Sequence, residues 1–203
     1  MKGKINWIGV AGGAATLLLI AVSLFVPWWK FTVGTATAGN PAFAEANFSP
    51  VNLNFSILGN ALTIPIIWAL NMAALLTLLS GGLIMLIYSV KPDKSYSKKL
   101  LGFSWNKPLF AVVLFVVELV ALALLAKSIA GFNVPLMGSG NIQLPQMAQG
   151  VSISVSVFAA FEWPFYFAIV VAGLCLAARL YHRKIAGFTV QLVPPPPPPP
   201  PSA

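Results

Sequence analysis

Charge is what this chain lacks. Only 8% of its 203 residues are Asp, Glu, Lys or Arg, and only four of them are acidic. A water-soluble domain carries about 25% charge. With 58% hydrophobic residues, the chain reads as an integral membrane protein. Cysteine is nearly absent too. A single Cys175 excludes an internal disulfide. One cysteine and one histidine, His182, supply too few ligands for a metal site. Neither metal nor cofactor is expected. No nucleophile–base pair, Gly-rich phosphate loop or redox motif is present, so the reading is non-enzymatic. The net charge of +8 does not point to nucleic acid, because the basic residues flank apolar runs instead of forming a stripe.

Those apolar runs come next. A membrane helix needs about 20 mainly apolar residues. Four segments qualify: 5–26, 62–90, 108–130 and 163–181. Pro65, Pro108 and Pro164 fall near helix starts, where a missing N–H costs little. Lys2 and Lys4 precede the first span, five lysines occupy the loop 91–107, and Arg179, Arg183 and Lys184 close the fourth span. Ten of the twelve Lys and Arg thus lie on one side, against Lys30 and Lys127 on the other. The positive-inside rule puts both termini and the loop 91–107 in the cytoplasm of a multi-pass cell-membrane protein. Five tryptophans suit interface anchors: Trp7 and Trp105 at the inner boundary, Trp28, Trp29 and Trp163 at the outer one. The first apolar run exceeds the roughly 7–15 residues of a signal-peptide core, so it is expected to remain as a span.

Two loops, 27–61 and 131–162, then lie outside. "VSISVSV", 151–157, alternates with period two, and so does "VNLNFSI", 51–57. "FTVGTAT", 31–37, is a weaker third candidate. Alternation signals half-buried strands, and three strands with one apolar face are more stable than a lone hairpin. A small antiparallel sheet should therefore join both loops, its apolar face on the membrane end and its Asn and Ser face in solvent. Asn47 and Asn54 each begin a glycosylation sequon in this region. The fold class expected is a membrane all-α four-helix bundle, 1–184, with a small extracellular β-sheet.

That layout, with four helices, both termini inside, Trp28 and Trp29 in a strand-bearing first loop and a shorter second loop, resembles the claudin-like family of four-span proteins. The resemblance implies a sheet crowning a left-handed bundle, and members that act in adhesion, paracellular barriers or as accessory subunits. The family's Gly-Leu-Trp and cysteine pair are absent here, so a barrier function does not carry over.

Glu118 stands alone in the third span, about 15 Å from Pro108 at about 1.5 Å per residue. A carboxylate near the midplane is a functional-site candidate. Asn71 lies at a similar depth in the second span. The two suit either a proton- or ion-responsive pair or a hydrogen-bonded link between helices. No second intramembrane charge completes a relay, which favours the link. Gly9 and Gly13 form a GxxxG, and Gly81 and Gly82 lie at matching depth. These suit helix packing within the chain, or a dimer face. The lysine-rich loop should rest on membrane lipids. The tail 185–203 carries eight prolines, 194–201, which suit a spacer or a ligand for a cytoplasmic polyproline-binding partner. The reading that follows is a structural or accessory subunit packing laterally on a membrane-protein partner or on itself. A small transporter component using Glu118, and an adhesion or receptor protein acting through the sheet, are the alternatives.

Overall fold

The structure, a computed structural model, describes residues 5–34, 42–62, 65–131, 133–144 and 153–187. The proline run, residues 35–37 of the third strand candidate and the first two residues of "VSISVSV" lie outside that set.

Four long helices and one short one carry the chain: α1 (Trp7–Ser23), α2 (Pro65–Val90), α3 (Ser97–Ser104), α4 (Lys107–Ala130) and α5 (Trp163–Gly187). Three helical stretches, Trp68–Val90, Ser97–Ser128 and Trp163–His182, are long and apolar enough to cross a membrane. Helix α1 is apolar but has 17 residues. That is about 26 Å at 1.5 Å per residue, a little short of a hydrocarbon core of about 30 Å. The sequence reading extends this segment to residue 26; the helix stops sooner for a local reason. The Ser23 hydroxyl donates to Leu19 O at 2.6 Å, and Phe25 N–H bonds Val22 O in a tightened last turn. Pro27 then has no N–H to continue the ladder.

Six strands lie between the helices, β1 (Trp29–Val33), β2 (Ala44–Ser49), β3 (Asn52–Ile57) and β4 (Asn60–Leu62) after α1, and β5 (Gly138–Leu144) and β6 (Ile153–Phe161) after α4. They form one antiparallel sheet in the order β4-β3-β2-β1-β6-β5. The sequence reading expects three strands in it. "VSISVSV" belongs to β6 and pairs with β1 and β5, while "VNLNFSI" belongs to β3 and pairs with β2 and β4. The two alternating segments never touch each other as partners. The weaker candidate, β1, is the strand that joins the two loops.

The register sorts the side chains by face. Trp29, Phe31 and Val33 lie across from Phe48, Ala46 and Ala44 on one side and from Phe161, Ala159 and Val157 on the other. This is the apolar face, and Trp29, Phe48, Val157 and Ala159 are buried on it. It packs on the middle of α4 and the start of α5, where Phe115, Leu119, Phe165 and Phe167 join the same core. The opposite face carries Lys30, Glu45, Asn47, Asn54 and Ser56 in neighbouring register positions. Between β3 and β4, Leu58 (φ 50) and Gly59 (φ 77) form the turn, a left-handed conformation that the two-residue hairpin requires.

Helix α1 packs along α2 and α5, and α5 along α4; α2 and α4 touch far less. Small residues permit the α1 seams. A Cβ on Gly13 would lie 2.8 Å from Leu86 Cγ and 3.0 Å from Gly82 O; one on Gly12 would lie 3.1 Å from Cys175 Sγ. At Gly9 a Cβ would collide with the Ser89 hydroxyl. The Gly9 and Gly13 contacts are thus made within the chain, against α2. The lysines of α3 lie at the end of the helices opposite the sheet.

Candidate functional site

Two polar regions among the helices differ in how their groups are satisfied. The first lies where α1 begins. Asn6 is fully buried. Its side-chain oxygen accepts from Gly9 N–H at 3.1 Å, capping α1. Its amide nitrogen donates to Tyr88 Oη at 2.9 Å and to Ala178 O at 3.2 Å, and its backbone N–H donates to Ser89 O at 2.9 Å. One side chain therefore links α1, α2 and α5. Tyr88 sets its ring edge-on to His182 at 5.5 Å, and Arg179 lies 4.1 Å over the Trp105 ring. This knot is absent from the sequence reading. Its signal is an Asn just before an apolar run, a position that favours caps.

The second region is the gap between α2 and α4. A groove of about 410 Å³ runs there along α4 from Lys107 to Leu125, and Phe48, Pro50 and Leu53 also line it. Aliphatic side chains such as Leu70, Leu114 and Leu122 make most of its wall. Glu118 and Asn71 both line it. The structure thus brings the two polar residues singled out from the sequence into one groove. No hydrogen bond or ion pair joins them, or ties either side chain to another group, among the described residues. Leu76, Val117 and Leu124 are more than half exposed on the same two helices. A surface this apolar suits hydrocarbon or protein better than water.

The remaining residues fall in four places. Gly81 and Gly82 are buried; Gly82 faces Leu17 and Thr16 of α1, and Gly81 faces Lys107 and Ser104. Trp7 and Trp163 are exposed, and Trp105 is half-buried. Trp28 and Trp29 depart from the expectation of boundary anchors, because both are buried. The Trp28 indole donates to Ser23 Oγ at 2.7 Å and meets Phe115 edge-on at 5.1 Å, while the Trp29 indole donates to Leu136 O at 2.8 Å. With an indole N–H satisfied inside, a tryptophan serves as a core residue. Of the two sequon asparagines, Asn47 is half-buried and donates to Glu45 Oε1 at 2.9 Å, while Asn54 is exposed.

Glu45 is the one carboxylate of the sheet with an ion partner among the described residues, Lys30 at 3.2 Å. The Asn47 amide and, less strongly, Lys30 hold its carboxyl below the usual range, against a partial opposing effect of burial. Among the described residues, no three His, Cys, Asp or Glu side chains gather where a metal ion would need them. No protein-family model matches the chain, and no curated protein matches it.

Proposed function

We propose that this chain is a non-enzymatic accessory subunit of the cell membrane. In this reading its four long helices form a membrane bundle with the sheet outside and both termini in the cytoplasm. Its α2–α4 groove receives a transmembrane helix of a different membrane protein. The observation that supports this best is the pair Glu118 and Asn71, which have no hydrogen-bond partner among the described residues and line a mainly apolar groove. In hydrocarbon, water is not at hand to satisfy a carboxyl or an amide, and intramembrane polar side chains face protein partners or cavities. The occupant that answers both needs is a helix presenting aliphatic side chains to the walls and one hydrogen-bond donor at the depth of Glu118. The slot lies along α4, as a helix requires. The lysines of the α3 region fit a cytoplasmic surface.

The test is extraction from the native membrane in mild detergent, followed by native electrophoresis and identification of co-migrating chains. A stoichiometric partner that is lost on Leu114→Trp, which fills the groove, and weakened on Glu118→Gln, is the expected result. A partner that tolerates both changes would overturn the groove as the docking site. A lone monomer, or a homo-oligomer alone, would overturn the accessory role.

A further inference from the structure

Where the polar face of the sheet meets the end of α1 and the start of α5, the surface is concave. The depression holds about 380 Å³, within the range of roughly 300–1,000 Å³ typical of ligand sites. Lys30, Asn47, Asn54, Asn52 and Glu162 line it, and Phe25 stands at its rim. Three of these groups form a row across three strands, since Lys30 pairs with Asn47 and Asn47 pairs with Asn54. Asn52 lies two residues along β3 from Asn54, on the same face. Glu162 lies two residues beyond Ala160, the other register partner of Lys30, and its backbone N–H is fixed to Trp28 O at 2.9 Å. The frame beneath the row is therefore hydrogen-bonded sheet, not free loop.

The charges cancel selectively. Glu45 takes up Lys30 at 3.2 Å. That leaves the Glu162 carboxylate, an acceptor that disfavours a phosphate or any other anion. A simple ammonium would use Glu162 but not the amide donors, since it has no acceptors of its own. The three asparagines offer both N–H donors and carbonyl acceptors. Nδ2 of Asn52 bonds Leu24 O at 2.9 Å and Nδ2 of Asn47 bonds Glu45, which leaves their side-chain oxygens as acceptors with no partner among the described residues. Asn54 is exposed and its amide has no partner among the described residues. A ligand dense in hydroxyls, each both donor and acceptor, fits this set. Phe25 is 86% exposed and offers a ring face to the C–H side of such a ligand.

We propose that this depression binds a polyhydroxylated, sugar-type group. The group arrives either as a free saccharide or as the headgroup of a glycolipid, since the apolar end of α1 borders the site. The site is separate from the α2–α4 groove and does not depend on its occupant.

The test uses the full chain in nanodiscs. Maltose is titrated as the free probe by calorimetry. In parallel, diglucosyl diacylglycerol is compared with phosphatidylglycerol for retention after detergent exchange. Saturable maltose binding supports the free-sugar source; selective retention of the glycolipid without maltose binding supports the headgroup source. In either case Glu162→Gln and Asn54→Leu each weaken binding at least about tenfold, as expected when a site loses a hydrogen-bonding group. Glu162→Gln keeps the side-chain volume, so it serves if Asn54→Leu disturbs the strand. Binding of neither probe, equal retention of both lipids without maltose binding, or binding indifferent to Glu162→Gln would overturn the proposal.

Discussion

The α1 seams and the α2–α4 groove are built from the same classes of residue and reach opposite ends. Along α1, glycines draw the backbones together and each polar group finds a partner: Asn6 with Tyr88 and Ala178 O, Ser23 with Trp28, Thr16 with Gly12 O at 2.7 Å. Between α2 and α4 the helices touch far less, and aliphatic side chains line the gap together with Glu118 and Asn71. Polarity inside a membrane-type helix therefore has no single meaning. Where small residues allow close approach it closes a seam; where larger ones line a gap, the same groups have no partner among the described residues. The distinction lies in the side chains flanking the polar group, not in the group itself.

This contrast can be broken in steps of decreasing size. Gly13→Leu should act most strongly, because its Cβ already meets Leu86 and the Gly82 carbonyl. A loss of about 3 kcal/mol is expected from such overpacking, read by denaturant unfolding in detergent. An unchanged midpoint would mean that the seam yields. Asn6→Ala should cost about 2 kcal/mol, since Tyr88 and Ala178 O lose a buried partner; the same unfolding assay measures it. Tyr88→Phe in that background should then cost little more.

The sheet stands between these extremes. Glu45 has its carboxyl held below the usual range by Asn47 and Lys30. Its contribution is therefore present above the unfolded-state pKa of about 4.3 and lost as pH falls through the lower folded-state value. As a surface pair it is worth under about 1 kcal/mol. Glu45→Gln should be slightly less stable than the parent at pH 7, with the gap closing on acidification in thermal melts. A gap that persists at about pH 2 would assign the loss to packing instead of charge. Smallest of all, Glu118→Gln should leave the isolated chain within about 0.5 kcal/mol of the parent, the opposite of Asn6→Ala. A large loss of stability there would erase the difference between groove and seam.

Much of this frame is legible in the residues, and the gaps have physical reasons. The long helices announce themselves by length and apolarity, and β3 and the first half of β6 by strict alternation. In β2, "AEANFS" alternates too, but alanine and glutamate are poor strand formers. In β5, two glycines and a serine thin the signal, and β4 has only three residues. These strands depend on their neighbours, so the local sequence is nearly silent. Depth counting along α2 and α4 puts Glu118 and Asn71 at similar heights, because helical rise is constant, and both line the groove. It does not reveal the groove, which forms only where the folded chain leaves a gap between α2 and α4. Asn6 shows the reverse case. Its capping position is readable, yet its partners, Tyr88 and Ala178, are brought to it only by the folded chain. Trp28 and Trp29 mislead because an indole suits both a lipid boundary and a core.

The strand order also sets a timetable for biogenesis. Strand β1 gains β2 soon after it is made, but its other edge is reserved for β6, with Trp29 opposite Phe161. At about 5–20 residues per second, the ribosome needs on the order of ten seconds to supply that partner, after α2, α3 and α4 have been made. Throughout that interval β1 presents an unpaired backbone edge of the kind that recruits foreign strands. Pairing with β6 is therefore the step that removes this edge and, with it, a template for the strands of other copies.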